Sequence, residues 1–418
     1  MPIRILHFSD THVGVESYGR IDPRTGVNSR LRDYQERLDE VVARATQGDV
    51  DLVLFTGDAY RGRDPNATHQ RTFASRIHRI SGAGVPVFLL VGNHDLPAAT
   101  GRANAVDIFE TLEVPNVHVG REPGMHLVGT RKGPVQIYGL PWITQSRLFA
   151  REELRALATG EIQQKIRDFC ANSVLQAAED LDPSLPAVLA AHVQIQGVAY
   201  SSGQSVTVGQ EVTLPRSAVA NPAFDYVALG HIHKHQVVTD RPLTIYAGSI
   251  ERIDFGEEAE DKGFVLVDVE KGSAEYEFVK VNARRFLTVR VNALDGDPTE
   301  ETLRELARHD LTDTVVRVEV TTTYELEGKV DYSQIRHALG DAYYVAGISK
   351  RVELRRDGVR VPGLDQVSPL EALERYLESR QTPRDRMAAL LERGKRLVLE
   401  VETARLGIVA PSDGVGGV

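Results

Sequence analysis

The sequence predicts an α/β protein: a two-sheet domain with helices outside, then a small β-α-β-α-β unit, then two closing helices. Three observations carry that expectation. Three strand-like runs in the first hundred residues each end in a polar cluster: "IRILHFSDTH" reaches Asp10 and His12, "DLVLFTGD" reaches Asp58, and "VPVFLLVGNHD" reaches Asn93, His94 and Asp95. Helical patterns separate them; Leu31, Tyr34, Leu38, Val41, Val42 and Ala45 recur at spacings of three and four. The strands are continuously apolar, as expected where helices cover both faces of a sheet. Such sheets bind ligands at the carboxyl ends of their strands, where these clusters fall.

Further along, "PAVLAAH" delivers His192 and "DYVALGHIH" delivers His231 and His233. "LTIYAGS", "GFVLVDVEKG" and "AEYEFVKV" read as neighbouring antiparallel strands, which closes a first domain at residues 1–284. From 285 to 362 "FLTVRVN", a helix over Thr299–His309, "TVVRVEVTT", a helix over Tyr332–Leu339 and "AGISKRVEL" make the small α+β unit. Residues 363–406 hold two helices. "SPLE" gives the first an N-cap at Ser368, Pro369 at its first position and Glu371 closing a capping box, and "TPRD" opens the second. The tail, 407–418, reads as disordered.

Composition narrows the function. At 418 residues, 42% hydrophobic and 26% charged, the chain exceeds one ordinary core. Its longest apolar runs are strand-length, far short of a membrane span. "MPIRILHFSD" enters a strand directly, without a signal-peptide core, so the cytoplasm is the expected compartment. Cys170 is the only cysteine, which excludes disulfides and thiolate metal sites. A formal net charge of −10 opposes gripping nucleic acid by bulk electrostatics, though Arg24, Arg30, Arg32, Arg61 and Arg63 could line a local groove.

Singly, a histidine at a strand end is more often structural than a ligand, and His7 and His235 stay core or surface residues on that reading. The set decides otherwise. Asp10, His12, Asp58, Asn93, His192, His231 and His233 are oxygen and nitrogen donors, each at a strand end. Residues two apart in extended chain share a face, so Asp-x-His and His-x-His can converge. Carboxylate, amide and imidazole suit divalent manganese, iron or zinc. Seven donors fit two ions sharing a carboxylate, as in two-metal phosphoryl-transfer sites.

The ordered elements "SDTH", "TGDAY", "VGNHD", "AAHVQ" and "LGHIH" resemble the calcineurin-like metallophosphoesterases. That resemblance implies a β-sandwich flanked by helices. It implies that Asp10, His12, Asp58 and His233 hold one ion, with Asp58 bridging, and that Asn93, His192 and His231 complete the second. His94 would be the catalytic histidine beside the phosphate, either protonating the leaving group or stabilising its charge, and Asp95 would orient it by accepting its other N–H. A water of lowered pKa would attack phosphorus in line with the leaving oxygen.

Longer stretches, above all "GSIERIDFGE", with "GDAYRGRDPN" and "DYVALGHIHKHQ", resemble the SbcD-type DNA exonuclease subunits. This implies a manganese-dependent 3′–5′ exonuclease and endonuclease in double-strand-break repair. The 285–362 unit would be the capping domain that presents DNA. The closing helices, with stripes Leu370, Leu373, Tyr376, Leu377 and Met387, Leu390, Leu391, Val398, Val401, would bind a coiled-coil ATPase, SbcC in bacteria. Homodimerisation is implied too, plausible through the 31–45 helix, though that helix could equally cover the sheet. Phosphate contacts are expected first at Arg61 and Arg63. One departure stands out: Arg61 occupies the place of a second histidine in archaeal and eukaryotic members, with His69 a possible substitute. The rival within enzymes is a phosphodiesterase acting on small nucleotides; the rival outside them is a scaffold with a decayed site.

Overall fold

A computed structural model describes residues 1–97, 102–149, 157–202, 212–353, 367–380 and 382–405. In chain order the first 284 residues give strands β1 (Ile3–Phe8), β2 (Leu52–Phe55), β3 (Val87–Leu90), β4 (Val117–Gly120), β5 (Gly124–Thr130), β6 (Gly133–Leu140) and β7 (Ala187–His192). They continue with β8 (Gln194–Ile195), β9 (Thr213–Leu214), β10 (Tyr226–Gly230), β11 (Gln236–Asp240), β12 (Leu243–Tyr246), β13 (Gly263–Glu270) and β14 (Ser273–Lys280). The helices among them are α1 (Ser29–Ala45), α2 (Ala67–Gly82), the single turns α3 (Ile108–Thr111) and α4 (Gln145–Leu148), and α5 (Thr159–Glu179).

Two six-stranded sheets face each other, in the orders β14-β13-β1-β2-β3-β4 and β11-β12-β10-β7-β6-β5. Alternate residues of each strand explain why the runs are continuously apolar. Ile3, Ile5, Leu52, Leu54, Phe88 and Leu90 enter the core between the sheets, opposite Ile137, Val188, Ala190, Ala228 and Ile245. Leu6, Phe8, Val53, Phe55, Val87 and Leu89 face outward instead, under Leu38, Val41 and Val42 of α1 and Phe73, Ile77 and Ile80 of α2. The apolar face of α1 therefore covers its own sheet. On the other sheet Ile162, Ile166, Cys170 and Val174 of α5 do the same.

The three late strand-like runs are not one neighbouring set. β12 joins the second sheet, parallel to β10 and antiparallel to β11, whereas β13 returns to the first, antiparallel to β1 and β14. Buried strands of either sheet share one composition, so sequence alone could not sort them.

His7 is buried between the sheets, its Nδ1 2.7 Å from the Tyr226 hydroxyl and its Nε2 3.0 Å from Thr56 Oγ1. Burial, and then the neighbouring His235, push its pKa from 6.5 down to about 3. Between those values the unfolded chain binds a proton that the folded chain refuses. Stability is thus complete above pH 6.5 and falls on acidification toward 3, by about 1.4 kcal/mol per pH unit from this group. Replacing His7 by Gln removes that contribution. Urea unfolding at pH 7 and pH 5 should show a smaller difference for His7→Gln than for the parent; equal differences refute the assignment.

The next segment carries β15 (Arg285–Ala293), α6 (Pro298–Leu306), β16 (Thr314–Thr323), α7 (Tyr332–Ala338) and β17 (Tyr344–Glu353), with the sheet ordered β15-β16-β17. Asp297 and Asp331 cap the two helices, each accepting from the two N–H groups at the following turn. Val289, Val291, Val316 and Val318 pack under Leu306, Ile335 and Leu339. Among the described residues, those within 1–321 and 329–351 form one compact unit, and those within 322–328 and 352–405 form another.

In the second unit, α8 (Pro369–Ser379) and α9 (Arg384–Arg405) are paired helices. Ser368 caps α8 by accepting from the Glu371 N–H at 3.3 Å. Glu371 reaches forward to Arg375 at 2.9 Å, an i,i+4 ion pair in place of the expected capping box. Leu373 and Leu370 lie against α9 at Gly394, and Leu377 is buried. Tyr376, Leu390, Leu397, Leu399 and Val401 are exposed. Residues 354–362 of the expected capping unit and the expected disordered tail, 407–418, lie outside the described residues.

Candidate metal centre

The topology sends every polar cluster to one end of the sandwich. β1, β2 and β3 are adjacent and parallel, so Asp10, Asp58 and Asn93 leave from neighbouring strand ends. β7 and β10 are likewise parallel neighbours, with His192 level with Gly230, and His231 follows at once. The loops are stitched together: Asp10 N–H donates to the Gly57 carbonyl at 3.0 Å and His12 N–H to that of Asp58 at 3.1 Å. Asp10, His12, Asp58 and His231 have φ of 52°, 42°, 59° and 98°. Non-glycine residues held there cost about 1–3 kcal/mol each and mark sites where function overrides backbone preference. Gly92 is required on a different ground, close approach, since a Cβ there would lie 2.1 Å from Asp58 Oδ1.

The side chains converge. Asp58 Oδ2 lies 3.7 Å from His12 Nε2 and 3.5 Å from His192 Nε2, between the two. His12 Nε2 faces His233 Nε2 at 3.0 Å and lies 4.0 Å from Asp10 Oδ1. Asn93 Oδ1 lies 2.9 Å from His192 Nε2 and 3.0 Å from His231 Nδ1. Asp10, Asp58, His12 and His192 are all buried. Among the described residues, three sets of potential ligand atoms lie within 4.8 Å of one another: Asp10, His12 and His233; Asp10, Asp58 and His192; His12, Asp58 and His94.

Hydrogen bonding fixes what the imidazoles offer. His192 Nδ1 lies 2.7 Å from the Thr56 carbonyl, which only accepts, so the proton sits on Nδ1 and the Nε2 lone pair faces Asn93 Oδ1 and Asp58. His233 likewise donates from Nδ1 to Glu257 at 2.8 Å, presenting Nε2 to His12. The His192 lone pair thus faces two oxygen acceptors, a repulsion that a bound cation relieves. Without one the cluster draws protons: burial opposes a charge on His192, yet Asp58 overcomes it and lifts the pKa to about 9. Asp58, against its own burial, is held well below the usual carboxylate range by His192 and then His12. Donor chemistry and geometry both fit divalent ions.

His94 stands at the exposed side of the cluster, its ring 4.8 Å from that of His12. Its N–H donates to Asp58 Oδ1 at 2.8 Å, and its Nδ1 donates to the Arg61 carbonyl at 2.8 Å. The expected role of Asp95 is therefore corrected. Its buried carboxylate accepts from the N–H groups of Asp58, Ala59, Tyr60 and Gly92 at 2.9–3.3 Å, tying two ligand loops together without touching the His94 ring. Arg61 and Arg63 are exposed beside a cleft of about 420 Å³ that Asn66 and His69 also line. His69 packs against Gly14 with Nε2 3.7 Å from Glu16, outside the cluster.

Two neighbours escaped the sequence reading. Glu257, the last residue of "GSIERIDFGE", holds His233; the motif was visible, its role was not. Trp142, the only tryptophan, lies 4.8 Å from the His231 ring and 6.1 Å from that of His192, and nothing around it in sequence signals this.

The calcineurin-like phosphoesterase family model matches residues 3–235. Among similar proteins is the DNA double-strand break repair protein Mre11 of Haloferax volcanii, 31% identical over 319 residues, which are 76% of this chain and 61% of that protein. The SbcD component of the Bacillus subtilis SbcCD nuclease is 26% identical over 289 residues, 65% of this chain and 67% of that one. Its Escherichia coli namesake is 26% identical over 287 residues, 65% of this chain and 66% of its own. The chain thus spans 61–67% of the length of these relatives.

Proposed function

Because the chain belongs to the calcineurin-like phosphoesterase family, we propose that it is a divalent-metal-dependent DNA nuclease, the nuclease subunit of an SbcCD-like end-processing complex. The observation that carries this is Asp58 Oδ2 lying within 3.7 Å of His12 and 3.5 Å of His192, in a buried cluster of oxygen and nitrogen donors. The names of the relatives support DNA as substrate.

Two ions, Mn²⁺ by preference, would be held by Asp10, His12, Asp58 and His233 and by Asp58, Asn93, His192 and His231. Bound there, they supply positive charge to the phosphoryl oxygens and a water ionised near neutral pH. The chain's own residues do the rest. Asp95 and the Gly57 carbonyl hold the ligand loops in register. Asp58 fixes the His94 backbone and the Arg61 carbonyl fixes its ring, so a doubly protonated His94 can give its Nε2 proton to the leaving oxygen. Arg61 and Arg63 would grip phosphates without reading sequence. The exposed apolar residues of α8 and α9 would dock a coiled-coil ATPase. Dimerisation would use surfaces other than the apolar face of α1, which its own sheet occupies. Among the described residues no helix is long and apolar enough to cross a membrane, and a cytoplasmic setting agrees with the single cysteine.

Purified protein with Mn²⁺ should shorten end-labelled linear duplex DNA, and EDTA should stop it. Hydrolysis of a chromogenic phosphodiester with intact DNA would replace this reading by a small-nucleotide phosphodiesterase. Inertness toward both, with the metal bound, would leave a scaffold.

A further inference from the structure

We infer that residues 251–258 couple the metal centre to the three-stranded sheet, so that metal held at His233 and the seating of that sheet stabilise each other. The inference rests on the metal-centre reading for His233 and assigns new positioning residues around it. Its core is a pair of adjacent carboxylates with opposite targets. Glu257 accepts from His233 Nδ1 at 2.8 Å, and its other oxygen takes the Ile253 N–H at 3.1 Å and Lys262 Nζ at 2.9 Å. Glu258 turns the other way and accepts from both the N–H and the hydroxyl of Thr288 on β15, at 2.7 and 2.6 Å.

The same segment grips the chain entering β15 from both sides. The Glu251 carboxylate accepts the Arg284 N–H at 2.9 and 3.1 Å. The Arg252 guanidinium donates to the Ala283 and Arg284 carbonyls at 3.3 and 3.0 Å, and also to those of Glu257 and Glu260 at 3.2 and 2.6 Å. One planar group thus binds the linker to the loop that orients His233. Between them Phe255 meets Phe286 of β15 at 5.1 Å, with Arg317 of β16 4.4 Å above its ring. Loosening the sheet therefore frees the loop that aims His233, and aiming His233 restrains the sheet.

Coupling between two sites is reciprocal in binding free energy, which gives two independent readings. Glu258→Ala touches no metal ligand. It should raise the Mn²⁺ dissociation constant of one of two ions about tenfold, the range seen when groups behind a metal ligand are lost, with Glu258→Gln restoring part of it. In the unaltered protein, bound Mn²⁺ should slow hydrogen exchange at the Arg284 and Thr288 amides about tenfold by the same linkage. Equilibrium dialysis and residue-resolved exchange read these, and the second stands even if the variant does not fold. Two ions bound with unchanged exchange at both amides, or unchanged affinity in Glu258→Ala, would overturn the coupling alone. No Mn²⁺ bound by the unaltered protein would overturn the metal centre and the coupling with it.

Discussion

Replacing Asp58 by Asn should abolish Mn²⁺ binding and DNA cleavage together while leaving the metal-free protein folded. Asp58 is buried, and its Oδ2 lies within 3.7 Å of both His12 and His192. An amide there keeps the size and the Oδ1 acceptor for the His94 N–H, but removes the charge that the two proposed ion positions would share. Asparagine also tolerates φ of 59° better than most residues. Burial, and then the Asp58 charge, push Asp95 up to about 7, so the neutral amide relieves a repulsion in the metal-free state. Trp142 supplies the readout, since paramagnetic Mn²⁺ beside His192 and His231 should quench its fluorescence. Titration should quench the parent and not Asp58→Asn. Thermal unfolding should agree: at a metal concentration 100 times the dissociation constant, one bound ion stabilises the parent by about 2.7 kcal/mol, and the variant gains nothing. Quenching and cleavage retained in Asp58→Asn would remove this carboxylate from the centre.

The convergence of the seven candidate side chains was legible because β1, β2, β3, β7 and β10 each run apolar and end on or just before a carboxylate, amide or imidazole, and parallel neighbours stop at the same end. The partition of strands between sheets was not legible, because a strand covered on both faces carries no period-two signature to tell β12 from β13. Asp95 was misread for a local reason. Its adjacency to His94 suggests a pair, yet the tight turn sends the carboxylate back toward the amides at 58–60 while the His94 ring goes to a carbonyl. That carbonyl belongs to Arg61, a backbone contact that the side-chain sequence does not signal. Glu257 lies 24 residues from His233, so only folding reveals the contact.

His94→Asn should lower cleavage roughly 10²–10⁴-fold, the usual worth of a positioned general acid, with two Mn²⁺ still bound. The side chain is exposed, so truncating it leaves no cavity in the cluster, and its main-chain N–H still donates to Asp58 Oδ1. The metal count is the discriminating measurement, because His94 also lies within ligating reach of His12 and Asp58. Loss of an ion along with activity would make His94 a ligand and leave the leaving group without its acid. Arg61→Ala separates backbone from side chain at the same place. The carbonyl that holds the His94 ring remains, so kcat should persist while KM for DNA rises, most at low salt, where a phosphate contact counts for most. A fall in kcat with unchanged KM would instead put the guanidinium itself on the reacting phosphate.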